Sequence, residues 1–147
     1  MSALIEITDL RVTARQSNGA DIALVKGVSF SVERGQVMGL IGESGSGKTT
    51  IALAVMGYAR YGCRISGGRV RIGDTDVTAL GAKDLREFRG RRVAYIAQSA
   101  AAAFNPSRTI MAQVIESALI HGVARKADAK AKAIGLFKAL AISEPET

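Results

Sequence analysis

One stretch constrains this chain more than any other: "VMGLIGESGSGKTTIALAVMG", residues 37–57. It opens on a short run that is apolar throughout, the pattern of a strand buried on both faces. It closes on an apolar-rich segment that reads as a helix ending near Gly57 or Gly62. Between them Gly42, Gly45 and Gly47 leave almost no side-chain bulk. Such a strand–loop–helix unit needs helices packed on a sheet, so it predicts an α/β protein.

The spacing Gly42-x-x-x-x-Gly47-Lys48-Thr49 gives the loop a chemistry. Glycines allow positive φ and leave no Cβ in the way of a ligand. Successive N–H groups from Ser44 to Thr50 can then converge as an anion nest. The helix starting near Lys48 adds the positive end of its dipole. The candidate phosphate-contacting residues are Gly42, Glu43, Ser44, Gly45, Ser46, Gly47, Lys48, Thr49 and Thr50. Lys48 would reach the β- and γ-phosphates of a nucleotide, the Thr49 hydroxyl would be a ligand for Mg²⁺, and Thr50 could bond the α-phosphate.

The rest of the chain supplies strands and then helices. "LIEITDLRVT" alternates and predicts a strand bent near Asp9; "SNGAD" is a turn; "IALVKGVSFSVE" predicts a strand with Val28, Phe30 and Val32 on one face. "GGRVRIGDTDV" alternates again, with Val70, Ile72 and Val77 inward, and "ISGGR" before it reads as a turn. "AKDLREFRG" predicts a short helix closed by Gly90. Arg86, Arg89, Arg91 and Arg92 read as its solvated end, favoured by that helix's own dipole, or as a contact to a membrane partner or anionic headgroups. "RVAYIAQ" predicts a second buried strand, and "SAAAAF" a loop. "NPSRTIMAQVIESALIHG" predicts a helix with Asn105 as N-cap, Pro106 at its first position, the stripe Ile110, Val114, Ile115, Leu119, and Gly122 past its end. His121 there favours the helix C-terminus. "ARKADAKAKAIGLFKALA" predicts a second amphipathic helix with Ala129, Ala133, Leu136, Phe137 and Leu140 inward.

Composition limits the function classes. With 147 residues and 48% apolar content the chain can build a core, an aliphatic one given the absence of Trp. The net charge of +7 invites a nucleic-acid reading. No aromatic residues interleave with the basic ones, so a nucleic-acid-associated protein is disfavoured. A lone Cys63 excludes an internal disulfide and fits a reducing compartment. "MSALIEITDL" lacks the pattern of a signal peptide. No run approaches the roughly 20 apolar residues of a membrane span.

Hydrolysis of a nucleotide also needs an acidic Mg²⁺ ligand, which in enzymes with this loop ends another apolar strand. Four apolar residues followed by Asp occur nowhere. "RVAYIAQ" ends in Gln98, and "VRIGD" is interrupted by Arg71 and Gly73.

The ordered set "GESGSGKTT", "RISGGRVRIGDTDVTAL", "RVAYIAQ" and "FNPSRTI" resembles the N-terminal part of an ATP-binding cassette (ABC) transporter ATPase. The likeness is to the subunits of bacterial oligopeptide, dipeptide and nickel importers, and it covers essentially the whole chain. It implies ATP and Mg²⁺ as cofactors and makes Gln98 the family's Q-loop glutamine, a catalytic and metal-contacting residue that senses the γ-phosphate. It implies a partial P-loop NTPase core (36–60 and 91–98) with an N-terminal antiparallel β-subdomain (1–35 and 66–80) and the start of an α-helical subdomain (105–147). Implied partners are permease subunits in the membrane, a second ABC ATPase subunit in a homo- or heterodimer and, indirectly, a solute-binding protein. The implied location is peripheral, on the cytoplasmic face of the inner membrane.

The sequence also departs from the family. The signature LSGGQ, the acidic strand and the switch histidine are expected after residue 147, so the resemblance reads residues 1–147 as a truncated domain. Such a chain would be an ATPase only when completed; the alternative is a nucleotide-binding fragment without turnover. The adenine-stacking aromatic expected around Ala14–Ala20 is not seen, and Ser99 and Ala100 stand where the family has Asp and Pro.

Overall fold

The computed structural model describes residues 3–99 and 103–142. Ala100 and part of the expected "SAAAAF" loop lie outside the described residues, as do 143–147. The chain divides after Arg89 into two compact units.

The first unit is built on a four-stranded antiparallel sheet of order β2–β1–β3–β4, formed by β1 (Ile5–Arg15), β2 (Asp21–Val32), β3 (Cys63–Ile72) and β4 (Thr75–Asp76). Alternation sets the buried face: Ile7, Leu10 and Val12 of β1 are at most 2% exposed, and Val70 and Ile72 of β3 are buried beside them. Helix α1 (Lys48–Val55) contributes Ile51, Leu53 and Ala54 to the buried set, and a 3₁₀ turn (Val77–Ala79) contributes Val77. Each fully buried aliphatic side chain of this kind contributes about 1.5–3 kcal/mol. Helix α2 (Ala82–Phe88) buries Phe88 and ends at Arg89, with Gly90 following at φ 82°.

The bend expected at Asp9 is a bulge that crosses three strands. Asp9 has φ 48°, and the register of β1 shifts against both β2 and β3 next to it. Its N–H donates to Ser29 Oγ, and its carboxylate accepts from Arg11 Nε and Nη2. On β3 the bulge is met by Gly68, at φ 85°. The segment "ISGGR" is therefore not a turn, because β3 runs through it and its glycines admit the bulge of β1.

The exit from β4 is fixed by Asp76, which caps the 3₁₀ turn that follows. Its carboxylate accepts from Thr78 Oγ1 at 2.6 Å, from the Thr78 N–H at 3.1 Å and from Arg69 Nε at 2.6 Å. The Thr78 hydroxyl first, and Arg69 after it, hold the Asp76 carboxyl below its ordinary range. A depressed folded-state pKa means that the unfolded chain binds the proton more readily. The stabilisation is thus complete above about pH 4 and lost as pH falls through the folded value. Asp76→Asn should flatten the acid limb of the stability profile, read as denaturant midpoints across the acid range; an unchanged limb would count against this capping role.

Two expected strands are not formed. Residues 36–43 have no regular secondary structure, and Val37 and Ile41 are 97% and 98% exposed. Residues 94–97 likewise form no strand, and Ile96 is 92% exposed. A strand exists only with a neighbour to take its N–H and C=O groups. Among the described residues nothing forms a ladder with either run.

The second unit centres on a helical pair, α3 (Ile110–Ile120) and α4 (Lys126–Ala139), packed through Ile115, Ala129 and Ala133. Ile110, Leu119, Leu136 and Leu140, expected inward, are exposed. Helix α3 begins four residues later than the sequence suggests. Asn105 does not cap it: its Oδ1 accepts from the Ser107 N–H, and Thr109 Oγ1 accepts from the Ala112 N–H as the actual N-cap. Gln113 holds the intervening loop, accepting from the Asn105 N–H and donating to the Asn105 and Arg108 carbonyls. Both helices end in Schellman geometry. In α3 the left-handed residue is Gly122 at φ 63°; in α4 it is Ala141 at φ 55°. Ala141→Gly should therefore stabilise the second unit by up to about 1 kcal/mol, measured as a shift in denaturant midpoint; destabilisation would contradict it.

Candidate functional site

The loop between residue 41 and α1 holds the candidate residues 42–47, and the first turn of α1 holds Lys48, Thr49 and Thr50. Gly42, Gly45 and Gly47 take φ of 154°, 84° and 92°. A Cβ on Gly47 would press on the Leu24 carbonyl at 3.3 Å, so the start of α1 lies against β2. The turn closes through Ser46 N–H to Glu43 O, and α1 begins with Ile51 N–H to Gly47 O at 2.8 Å. Ahead of that bond the N–H groups of Gly45, Gly47, Lys48, Thr49 and Thr50 have no protein acceptor among the described residues. Four of them, Gly47 to Thr50, are the orphan donors of a helix start, and Gly45 precedes them in the exposed loop.

Lys48 lies within this loop. Its Nζ donates to Gly42 O at 2.8 Å, Glu43 O at 2.5 Å and Ser46 Oγ at 3.2 Å. The ammonium is therefore held inside the concavity and not extended into solvent. Thr49 and Thr50 occupy the first turn of α1, with Thr49 exposed and Thr50 half-buried. No acidic residue occupies that turn, so its positive end is uncompensated by the chain. The donor set suits a polyphosphate. A Mg²⁺ carried on phosphate oxygens would find one neutral oxygen in the Thr49 hydroxyl.

Gln98 belongs to the second unit, where it follows the unpaired run 94–97 and is exposed. No group of three or more His, Cys, Asp and Glu suited to a metal ion occurs among the described residues. No helix among them is long and apolar enough to cross a membrane. His121 is the C-cap of α3, as expected.

Arg89 is the residue that the sequence misjudged. Instead of a solvated helix end, it is half-buried. Its Nε donates to Met56 O at 2.9 Å and its Nη2 to Gly57 O at 2.6 Å. Its guanidinium lies 5.6 Å from the centre of the Tyr58 ring. Nothing local in "DLREFRG" signals this, since the partners are more than thirty residues upstream.

An antiparallel sheet backed by a helix that begins in such a glycine-spaced loop defines an α/β domain. The chain belongs to the ABC transporter family, which matches residues 25–145. Among its relatives are the oligopeptide transport ATP-binding protein OppD of Mycobacterium tuberculosis, 36% identical over 99% of this chain and 24% of that protein; AppD of Bacillus subtilis, another oligopeptide transport ATP-binding protein, 32% identical over 99% of this chain and 44% of the relative; and the dipeptide transport ATP-binding protein DppD of Escherichia coli, 32% identical over 97% and 43%. The chain thus spans from about a quarter to under half of the length of these curated relatives.

Proposed function

We propose that the chain binds MgATP through residues 42–50 and serves as the N-terminal portion of the ATP-binding subunit of an importer for peptides or similar solutes. The observation that carries this reading is the cradle itself: the N–H groups of Gly45, Gly47, Lys48, Thr49 and Thr50, without a protein acceptor among the described residues, around a lysine held by three loop oxygens. Family membership and the names of the relatives support the transport role. In this reading Gly42–Gly47 wrap the phosphates, Lys48 neutralises the β- and γ-phosphates, Thr49 ligates Mg²⁺ and Thr50 bonds the α-phosphate. Gln98 would be a further residue to hold the metal in the whole protein, where Mg²⁺ would supply charge neutralisation on the phosphates. The partners are membrane permease subunits, a second ATPase subunit and, indirectly, a solute-binding protein, at the cytoplasmic face of the membrane.

The test is calorimetric titration of the purified chain. MgATP and MgADP should bind saturably and AMP far more weakly, because the contacts concentrate beyond the α-phosphate. A chain folded by circular dichroism that takes up no MgATP would sink the reading.

A further inference from the structure

We propose that Arg89 is a positioning residue for the phosphate loop: its guanidinium, bridging the carbonyls of Met56 and Gly57, fixes α1 along its axis and so sets where Lys48 and Thr49 stand. The proposal rests on the reading of residues 42–50 as a nucleotide site.

Helix α1 has only eight residues, and its two ends do different work. Its C-terminus is a Schellman cap, with Tyr58 N–H on Leu53 O at 3.1 Å, Gly57 N–H on Ala54 O at 2.9 Å, and Gly57 at φ 68°. That cap satisfies the carbonyls of Leu53 and Ala54 and turns those of Met56 and Gly57 outward. Arg89 takes both, one through each arm of its rigid fork. The charge also meets the negative end of the helix dipole. A second contact closes the junction: a Cβ on Gly57 would lie 2.6 Å from Leu85 Cδ2, so α2 sits tight against the cap.

Apolar packing and hydrogen bonds restrain this helix differently. Ile51, Leu53 and Ala54 hold α1 sideways against its surroundings, but dispersion contacts are non-directional and resist sliding weakly. Two charge-assisted bonds at the trailing end are directional. A polyphosphate at the leading end pulls on the same short rod, because the first-turn N–H groups and Lys48 move with the helix. Holding the trailing end keeps those donors in place before the anion arrives.

The experiment compares the full chain with Arg89→Ala and Arg89→Lys by MgATP calorimetry and thermal unfolding. Loss of the fork should weaken MgATP about tenfold in Arg89→Ala at temperatures where it remains folded. Arg89→Lys, which keeps a charge but not the fork, should recover part of the loss. Millimolar ethylguanidinium should restore affinity to Arg89→Ala and leave the unmodified chain unchanged, with sodium chloride of equal ionic strength as control. A purely structural Arg89 would lower the unfolding temperature without changing affinity below it, and that result overturns the proposal. If Arg89→Ala fails to fold, Arg89→Lys decides: weaker MgATP binding at intact fold supports the anchor, and unchanged binding removes it. Lys48-dependent binding that ignores both Arg89 variants removes the anchor alone. Absence of MgATP binding by the unmodified chain removes the nucleotide reading and the anchor together.

Discussion

Lys48→Ala should weaken MgATP binding by about a hundredfold while the fold stays intact. Hydrogen bonds to charged groups contribute about 1.5–3 kcal/mol each, and about 1.4 kcal/mol is a factor of ten in affinity. The ammonium can offer more than one donor to the β- and γ-phosphates, so the loss is at the upper end. The fold should tolerate the change, because the three acceptors of Lys48 lie on an exposed loop where water replaces the ammonium. Lys48→Arg should not restore affinity: a planar fork replaces a compact charge that fits between Gly42 O, Glu43 O and Ser46 Oγ. Calorimetry gives the affinity and thermal unfolding the stability. If both fall together, the lysine holds the loop and not the ligand.

The largest effect on stability is expected at Gly68, far along the chain from the loop. A Cβ there would lie 2.2 Å from the Asp9 carbonyl oxygen, 2.5 Å from its carbon and 2.6 Å from Leu10 Cα. All three are backbone atoms of β1, and Leu10 is fully buried, so the neighbour has no side chain to swing aside. The left-handed φ adds its own strain. Gly68→Ala should cost about 4 kcal/mol or more, within reach of unfolding the sheet. Gly73 is the control. It has φ 57°, and a Cβ added there would meet nothing within 4 Å, so Gly73→Ala should cost about 1 kcal/mol, the conformational part alone. Denaturant midpoints of equal depression in the two variants would show that the contact at the bulge is relieved cheaply.

Much of the first unit was legible because its signals are local. Alternation marked β1 as a strand and placed Val70, Ile72 and Val77 in the core, and the glycine spacing marks the loop without reference to any fold. What escaped depends on partners distant in sequence. "ISGGR" looks like a turn until Asp9 of another strand needs room. Asn105-Pro106 looks like a helix start until Gln113 grips the same residues and Thr109 takes over the cap. Arg89 looks solvated until the end of α1 presents two carbonyls. The runs "VMGLIG" (37–42) and "RVAYIAQ" (92–98) read as strands because their composition is that of strands; whether they become strands depends on a neighbour that their own residues do not specify.

Those two runs also govern how copies of the chain behave toward one another. Val37, Ile41 and Ile96 offer almost their full apolar surface at short range, while a net charge of +7 pushes copies apart at long range. The reach of that repulsion shrinks from about 30 Å at 0.01 M salt to about 8 Å at 0.15 M. Colloidal stability is therefore set by ionic strength, whereas the fold, resting on Leu10, Val70 and their neighbours, is not.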